Sequence, residues 1–256
     1  MKIGICTSAQ NALLLSNDAA DYIEMNITSI AQMSDGEFES TKKLIAENNI
    51  SVQAANCFFP GDIRLCGSEM DIERIASYAE HALKRVSELG IEICVIGSGK
   101  ARNADKNEVF ETCYSEFIRV CCIIGDIAKK YGIIVVIEPL NKNETNMINT
   151  VAEGAKLVRS LNHPNVRLLA DIYHMALEEE NLEAIYDNRD IIAHMHIANP
   201  DKRVFPDEFD SFDYEAVAEI IRKSAYNKRL SIEAGGKSDF KSDAGKSLVF
   251  LKRIFK

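Results

Sequence analysis

Eight short apolar runs, each followed by a longer stretch of helical periodicity, constrain this chain more than any other feature. The runs are 2–7 (KIGICT), 21–26 (DYIEMN), 51–56 (SVQAAN), 91–97 (IEICVIG), 133–139 (IIVVIEP), 166–171 (VRLLAD), 191–197 (IIAHMHI) and 229–233 (RLSIE). They are brief and rich in β-branched residues, which is the signature of buried strands. Between them lie amphipathic stretches. In 70–89, Ile72, Ile75, Ala76, Ala79, Leu83 and Val86 recur at spacings of three and four; in 107–131, Phe110, Tyr114, Phe117, Cys121 and Ile124 mark one face. Gly90 and Gly132 each stand where a helix stops before a strand.

Strands separated by helices pair in parallel, because each crossover returns the chain to the same end of the sheet. Eight such units predict a closed (β/α)8 TIM barrel, a fold of about 250 residues, and 1–256 is expected to form that single domain. An open, doubly wound sheet is the alternative. It lacks its glycine fingerprint here, since Thr7-Ser8-Ala9-Gln10 follows the first strand and 97–103 (GSGKARN) has only two glycines.

In such a barrel the reactive groups sit at the C-terminal ends of the strands. The last four strands end in residues that no apolar core selects: Glu138, Asp171, His196 and Glu233. They are spaced by about one strand–helix unit, so all four can converge at the mouth. His194 shares a face with His196 by the period-two rule and lies one layer deeper, as a packing or supporting residue. Taken singly, each of the four has a bland reading as a helix cap, a satisfied core histidine or a solvated strand end. Their recurrence at successive strand ends favours a shared site. Three carboxylates and an imidazole repel or protonate unless a cation joins them. An oxygen-rich set with one nitrogen selects Mn2+ first, then Mg2+, with Co2+ and Zn2+ behind.

These residues resemble the xylose-isomerase-like sugar isomerase and epimerase family, in the branch that holds D-tagatose 3-epimerase, D-psicose 3-epimerase and hydroxypyruvate isomerase. The resemblance is carried by Glu138-Pro-Leu-Asn141 with Glu144, Asp171-Ile-Tyr-His174, His194-Met-His196-Ile-Ala and Ser231-Ile-Glu233-Ala. Asn56-Cys-Phe-Phe-Pro60 and Gly97-Ser-Gly99 with Arg102 look like the family's third and fourth strand ends. It implies that Glu138, Asp171, His196 and Glu233 ligate the metal and that Glu138 and Glu233 double as the acid/base pair. Glu144 and His174 match substrate-contacting positions, and Asn56 and Arg102 join them. An arginine that follows the ligand histidine by six residues in the epimerases is Lys202 here, with Arg203 one further. The tryptophan of the epimerases' aromatic platform has no counterpart, because the chain contains none.

The chemistry expected is proton removal from carbon beside a carbonyl, with a divalent ion stabilising the developing enediolate. Return of the proton to the opposite face gives an epimer; return to the neighbouring carbon gives an aldose–ketose isomer. A lyase that removes water from an inosose or dehydroshikimate is the alternative on the same scaffold. A net charge of −9 without a Lys/Arg cluster excludes a nucleic-acid partner, and five histidines are too few for a multi-zinc DNA-repair site. The expected partner is a small sugar, with a homo-oligomer left open. No apolar run reaches the roughly 18 residues of a membrane span. The strand-like start without a leader pattern and seven cysteines without CxxC spacing predict a cytoplasmic protein with reduced thiols. Cys6 and Cys57 lie near strand ends but have no base partner to make them nucleophiles. Glu24 is either a pocket residue or a solvated strand end.

Overall fold

The computed structural model describes residues 1–16, 19–235 and 239–255. Its eight strands are β1 (Lys2–Cys6), β2 (Tyr22–Asn26), β3 (Val52–Asn56), β4 (Ile93–Ile96), β5 (Ile134–Ile137), β6 (Val166–Asp171), β7 (Ile192–Ile197) and β8 (Arg229–Ile232). They close in sequence order, every neighbouring pair is parallel, and β1 joins β8. The open-sheet alternative is therefore excluded. Each strand falls inside its predicted run. The runs at 91–97 and 133–139 overreach, because β4 ends at Ile96 and β5 at Ile137, with the Glu138 N–H still bonded to the Ile96 carbonyl at 3.1 Å.

The long crossover helices are α3 (Asp35–Glu47), α4 (Ile72–Glu88), α6 (Phe110–Lys130), α7 (Val151–Leu161), α10 (Tyr214–Lys223) and α11 (Phe240–Phe255). Shorter helices follow strand ends, namely α1 (Ala9–Ala12), α2 (Ile27–Gln32), α5 (Gly99–Arg102) and α8 (Ile172–Leu177), and α9 (Glu183–Asp187) lies on the crossover from α8 to β7. Helix starts are set by local side chains. Ser34 and Glu37 form a reciprocal capping box on α3, and Asp71 accepts from two backbone N–H groups of α4. The long helices end where they should: Gly90 and Gly132 adopt φ of +76° and +68°, the left-handed backbone that lets a helix turn into a strand.

The apolar core has two bodies. The larger lies between the strands and the helices, and includes Ile5, Leu83, Phe117, Ile124, Ile137, Leu168 and Ile197. The smaller fills the barrel interior with Tyr22, Ala54, Val95, Val136 and Leu169. The alternate side chains of β3 to β6 thus fill the centre with hydrocarbon, while β2, β7 and β8 bring Glu24, His194 and Ser231, each fully buried. All seven cysteines are free thiols, and Cys66, Cys94, Cys113 and Cys121 are buried. Among the described residues no helix is long and apolar enough to cross a membrane.

Candidate metal centre and active site

Glu138 follows β5 directly, Asp171 is the last residue of β6, His196 lies near the end of β7 and Glu233 follows β8. Parallel pairing aligns Asp171 with His196 and His196 with Ser231, which sets the four side chains at one depth of the mouth. One donor atom from each of the four lies within 4.8 Å of the donor atoms of the other three. His196 Nδ1 is 3.1 Å from Glu138 Oε1 and 3.4 Å from Glu233 Oε2. The group is well screened from water, with His196 fully buried, Asp171 and Glu138 nearly so, and Glu233 partly open to the cavity.

Such a concentration of carboxylates distorts its own titration. Burial, opposed by His196 and Arg203, pushes Asp171 up to about 6. Burial and the neighbouring Glu233 raise Glu138. Burial also works against ionised Glu233, but the His196 ring and Arg203 outweigh it and hold that carboxyl at about 2. His196 is moved well above its ordinary value: burial alone would lower it, and Glu24 and Glu233 overcome that. A proton on the ring therefore stands where a cation would relieve the carboxylates. Asp171 uses Oδ1 to cap α8, at 2.8 Å from the Tyr173 N–H, whereas its Oδ2 is buried without a hydrogen-bond partner. A buried anionic oxygen without a hydrogen bond, whose nearest cation is Arg203 Nη2 at 3.6 Å, is costly. Together with the three-oxygen, one-nitrogen donor set, it fits a divalent ion held by these four residues.

Around this cluster stand most of the other expected residues. The Asn56 amide donates to Glu233 Oε1 at 2.6 Å. Arg203 donates to Glu233 Oε2, lies 3.6 Å from Asp171 Oδ2 and 3.3 Å from Glu144 Oε1, and stacks over the Tyr173 ring at 4.6 Å. His174 Nδ1 accepts from the Asn141 backbone N–H at 3.1 Å, so its proton resides on Nε2. That Nε2 has no hydrogen-bond partner and lies 3.5 Å from Asp171 Oδ2, which likewise has none. Burial lowers the His174 pKa, which keeps the ring neutral.

Two expected residues are not brought into the site. Arg102 is fully buried beneath it, and donates to the carbonyls of Glu138 and Ile148 at 2.9 and 3.3 Å. It braces the backbone that carries Glu138 and does not reach a substrate. Lys202 keeps 78% of its side chain exposed beside Asp201. Lys202 and Arg203 both adopt left-handed backbone, with φ of +64° and +50°. The short bridges Asn199–Val204 and Val204–Gly235 fold this segment back over the mouth. In that geometry the residue seven places after His196, rather than six, points inward. Glu24 was left open between pocket and solvent. It is fully buried below the cluster, 3.0 Å from His196 Nε2 and 2.8 Å from His194 Nε2. Its signal was the strand register: two residues before the β2 end, it shares the inward face with Tyr22.

A cavity of about 470 Å3 opens directly onto Glu138 and Glu233, walled by Phe59, Ser98, Leu140 and Arg203. That volume lies within the range of roughly 300–1,000 Å3 of small-molecule pockets. Gly97 forms part of its floor. A Cβ there would come within 2.3 Å of Glu138 Oε2, so the absence of a side chain is what lets this carboxylate lie against β4. Cys6 and Cys57 also line the cavity; burial raises the Cys6 thiol well above its ordinary value, which makes it a poor nucleophile, and Cys57 is exposed at the rim.

Comparison with known proteins agrees with this architecture. A 3-dehydro-D-guloside 4-epimerase of Escherichia coli is 34% identical over 105 residues, or 41% of this chain and 39% of that protein. A D-psicose 3-epimerase of Agrobacterium fabrum is 28% identical over 189 residues, 72% of this chain and 65% of the relative. The chain thus matches well under half of the first relative's length and about two thirds of the second's. Among solved structures, a D-psicose 3-epimerase from Clostridium cellulolyticum superposes with a TM-score of 0.86 at 19% identity, covering all of both chains. The apo 3-keto-D-glucoside 4-epimerase of E. coli gives 0.81 at 22%, with 99% of each chain covered. At those identities the structures speak for the fold alone. The sequence model described as "Xylose isomerase-like TIM barrel" matches residues 14–254, and the chain belongs to that family.

Proposed function

We propose that this protein is a divalent-metal-dependent epimerase or isomerase of a small keto sugar. The observation that carries the reading is the convergence of Glu138, Asp171, His196 and Glu233, one donor atom each within 4.8 Å, at the floor of a sugar-sized cavity. Named relatives acting as 3- and 4-epimerases support the same reaction class. Glu138, Asp171, His196 and Glu233 would hold the ion, with Mn2+ the expected occupant. When bound, it supplies the positive charge that an enediolate needs.

The chain's own residues account for the rest. Glu138 and Glu233 come from the ends of β5 and β8, and each would exchange a proton with one face of a sugar carbon. The Asn56 amide, at 2.6 Å, holds Glu233 Oε1, and Arg203 donates to Oε2, so the orientation of this carboxylate is fixed from both sides. Arg203 and Glu144 line the cavity and orient sugar oxygens, one as N–H donor and one as acceptor, while buried His174 backs them, with Nδ1 4.0 Å from Glu144 Oε1.

The test is a panel of ketohexoses, ketopentoses and 3- and 4-keto glycosides, incubated with Mn2+ in D2O and followed by NMR. A second epimer or isomer, with deuterium at the carbon that exchanges, is the expected result. Loss of one water from the substrate would replace the reading with a dehydratase. No exchange on any sugar, with metal bound, would refute it.

A further inference from the structure

One layer below the four candidate ligands lies a set of buried polar side chains that the proton-transfer chemistry does not use. Tyr22, Glu24, His194 and Ser231 are each at most 1% exposed. Glu24 is at their centre, and both its oxygens are engaged. Oε1 faces His196 Nε2 at 3.0 Å; Oε2 accepts from His194 Nε2 at 2.8 Å and from Ser231 Oγ at 2.6 Å. Ser231 Oγ is in turn 2.7 Å from the Tyr22 hydroxyl. A carboxylate held this way cannot swing aside.

The His196 ring spans the two layers. Nε2 points down to Glu24, while Nδ1 points up to Glu138 and Glu233. We infer that Glu24 is a positioning residue for the metal centre: it accepts the Nε2–H of His196 and so fixes the tautomer whose bare Nδ1 faces the ligand cluster. A ligating imidazole depends on the partner of its second nitrogen for both orientation and basicity, and loss of that partner typically costs metal affinity. A buried carboxylate without a fixed cation is expensive, so its retention here calls for a compensating set of hydrogen bonds. Cys6, Glu24 and His196 also approach one another closely enough to suggest a second metal cluster. This group offers a single carboxylate where the first offers three, so Glu24 is assigned to support of the first centre.

The inference rests on the metal reading of the proposed function, and the experiment separates the two. Mn2+ binding is titrated by EPR for the wild-type, Glu24→Gln and Ser231→Ala proteins, with folding followed by circular dichroism. Glutamine keeps the shape of glutamate but offers one oxygen and an amide N–H. It is expected to weaken Mn2+ binding by roughly 10- to 100-fold while the metal-free fold persists. Ser231→Ala, which leaves the Oε1–His196 contact in place, should stay near wild type. In the Co2+-loaded wild type, NMR should show one hyperfine-shifted, exchangeable imidazole N–H, and this resonance decides the question if Glu24→Gln does not fold. A folded Glu24→Gln with wild-type Mn2+ affinity, or the absence of that resonance, overturns the role of Glu24 and leaves the metal reading standing. A wild-type protein that binds neither ion refutes the metal reading and this inference with it.

Discussion

Gly97→Ala perturbs the site through a single methyl group. The new Cβ would lie 2.3 Å from Glu138 Oε2 and 3.4 Å from its Cδ, with Leu140 next at 3.6 Å. Ordinary carbon–oxygen contact requires the oxygen to retreat by about 1 Å, and the end of a glutamate can do so by rotation, which keeps the strain near the low end of the 1–3 kcal/mol typical of overpacking. A cost of about 1 kcal/mol lowers the melting temperature of a chain this size by only about 2–4 °C. The same displacement carries Glu138 away from the position it shares with His196 at 3.1 Å. Misplacement of a reacting group by about 1 Å can cost about 100-fold in rate. The variant should therefore melt almost normally while turnover, measured on whichever keto sugar the panel identifies, falls by about two orders of magnitude. Mn2+ affinity should fall with it. Normal turnover and affinity would show that Glu138 does not act from its observed position.

Four further outcomes follow from the same geometry. EDTA should abolish activity, Mn2+ or Co2+ should restore it better than Ca2+, and Asp171→Asn should weaken Mn2+ binding about 10-fold or more. Because burial holds the Asp171 carboxyl at about 6 in the metal-free protein, it is protonated below that pH and ionised above it. Mn2+ affinity should accordingly be full above about pH 7 and fall as pH drops through 6, as a pH series of the EPR titration would show. Glu138→Gln and Glu233→Gln should each stay folded and lose roughly 10²–10⁴-fold in turnover. If each serves one face, one variant should still exchange solvent deuterium without forming the second epimer. Arg203→Ala should raise KM and lower kcat, whereas Lys202→Ala, at an exposed side chain, should leave both unchanged.

Why some of this was legible in the sequence and some was not has a physical basis. Strands buried on both faces are written as unbroken β-branched runs, and Ile134–Ile137 is such a case. A charged residue that ends such a run has to be reconciled with burial, so Glu138, Asp171, His196 and Glu233 stand out. Arg102 misled because a cation on a loop is usually solvated. Nothing local shows that the four-residue α5 turns this side chain inward under the Glu138 carbonyl. The choice between Lys202 and Arg203 depends on two consecutive left-handed residues, which non-glycine residues seldom adopt and composition does not signal. Glu24 escaped because a polar residue near a strand end looks the same whether it lines the rim or the layer beneath. Only the register that sets Cys6 of β1 beside it, and the histidines of β7 across the barrel, separates the two.

The hydrogen bonds inside the barrel have a consequence for how the chain reaches this state. Glu24 meets His194 and Ser231, its partners 170 and 207 positions away in sequence, only once β7 and β8 have come round to β1 and β2. The other half of the interior, from β3 to β6, is filled by Ala54, Val95, Val136 and Leu169, which tolerate slippage far better than a carboxylate between two imidazoles. A ring closed one residue out of step would place Glu24 against hydrocarbon and leave both histidines bare. The polar sector thus proofreads the seam, admitting one stagger of the final strands and rejecting its neighbours.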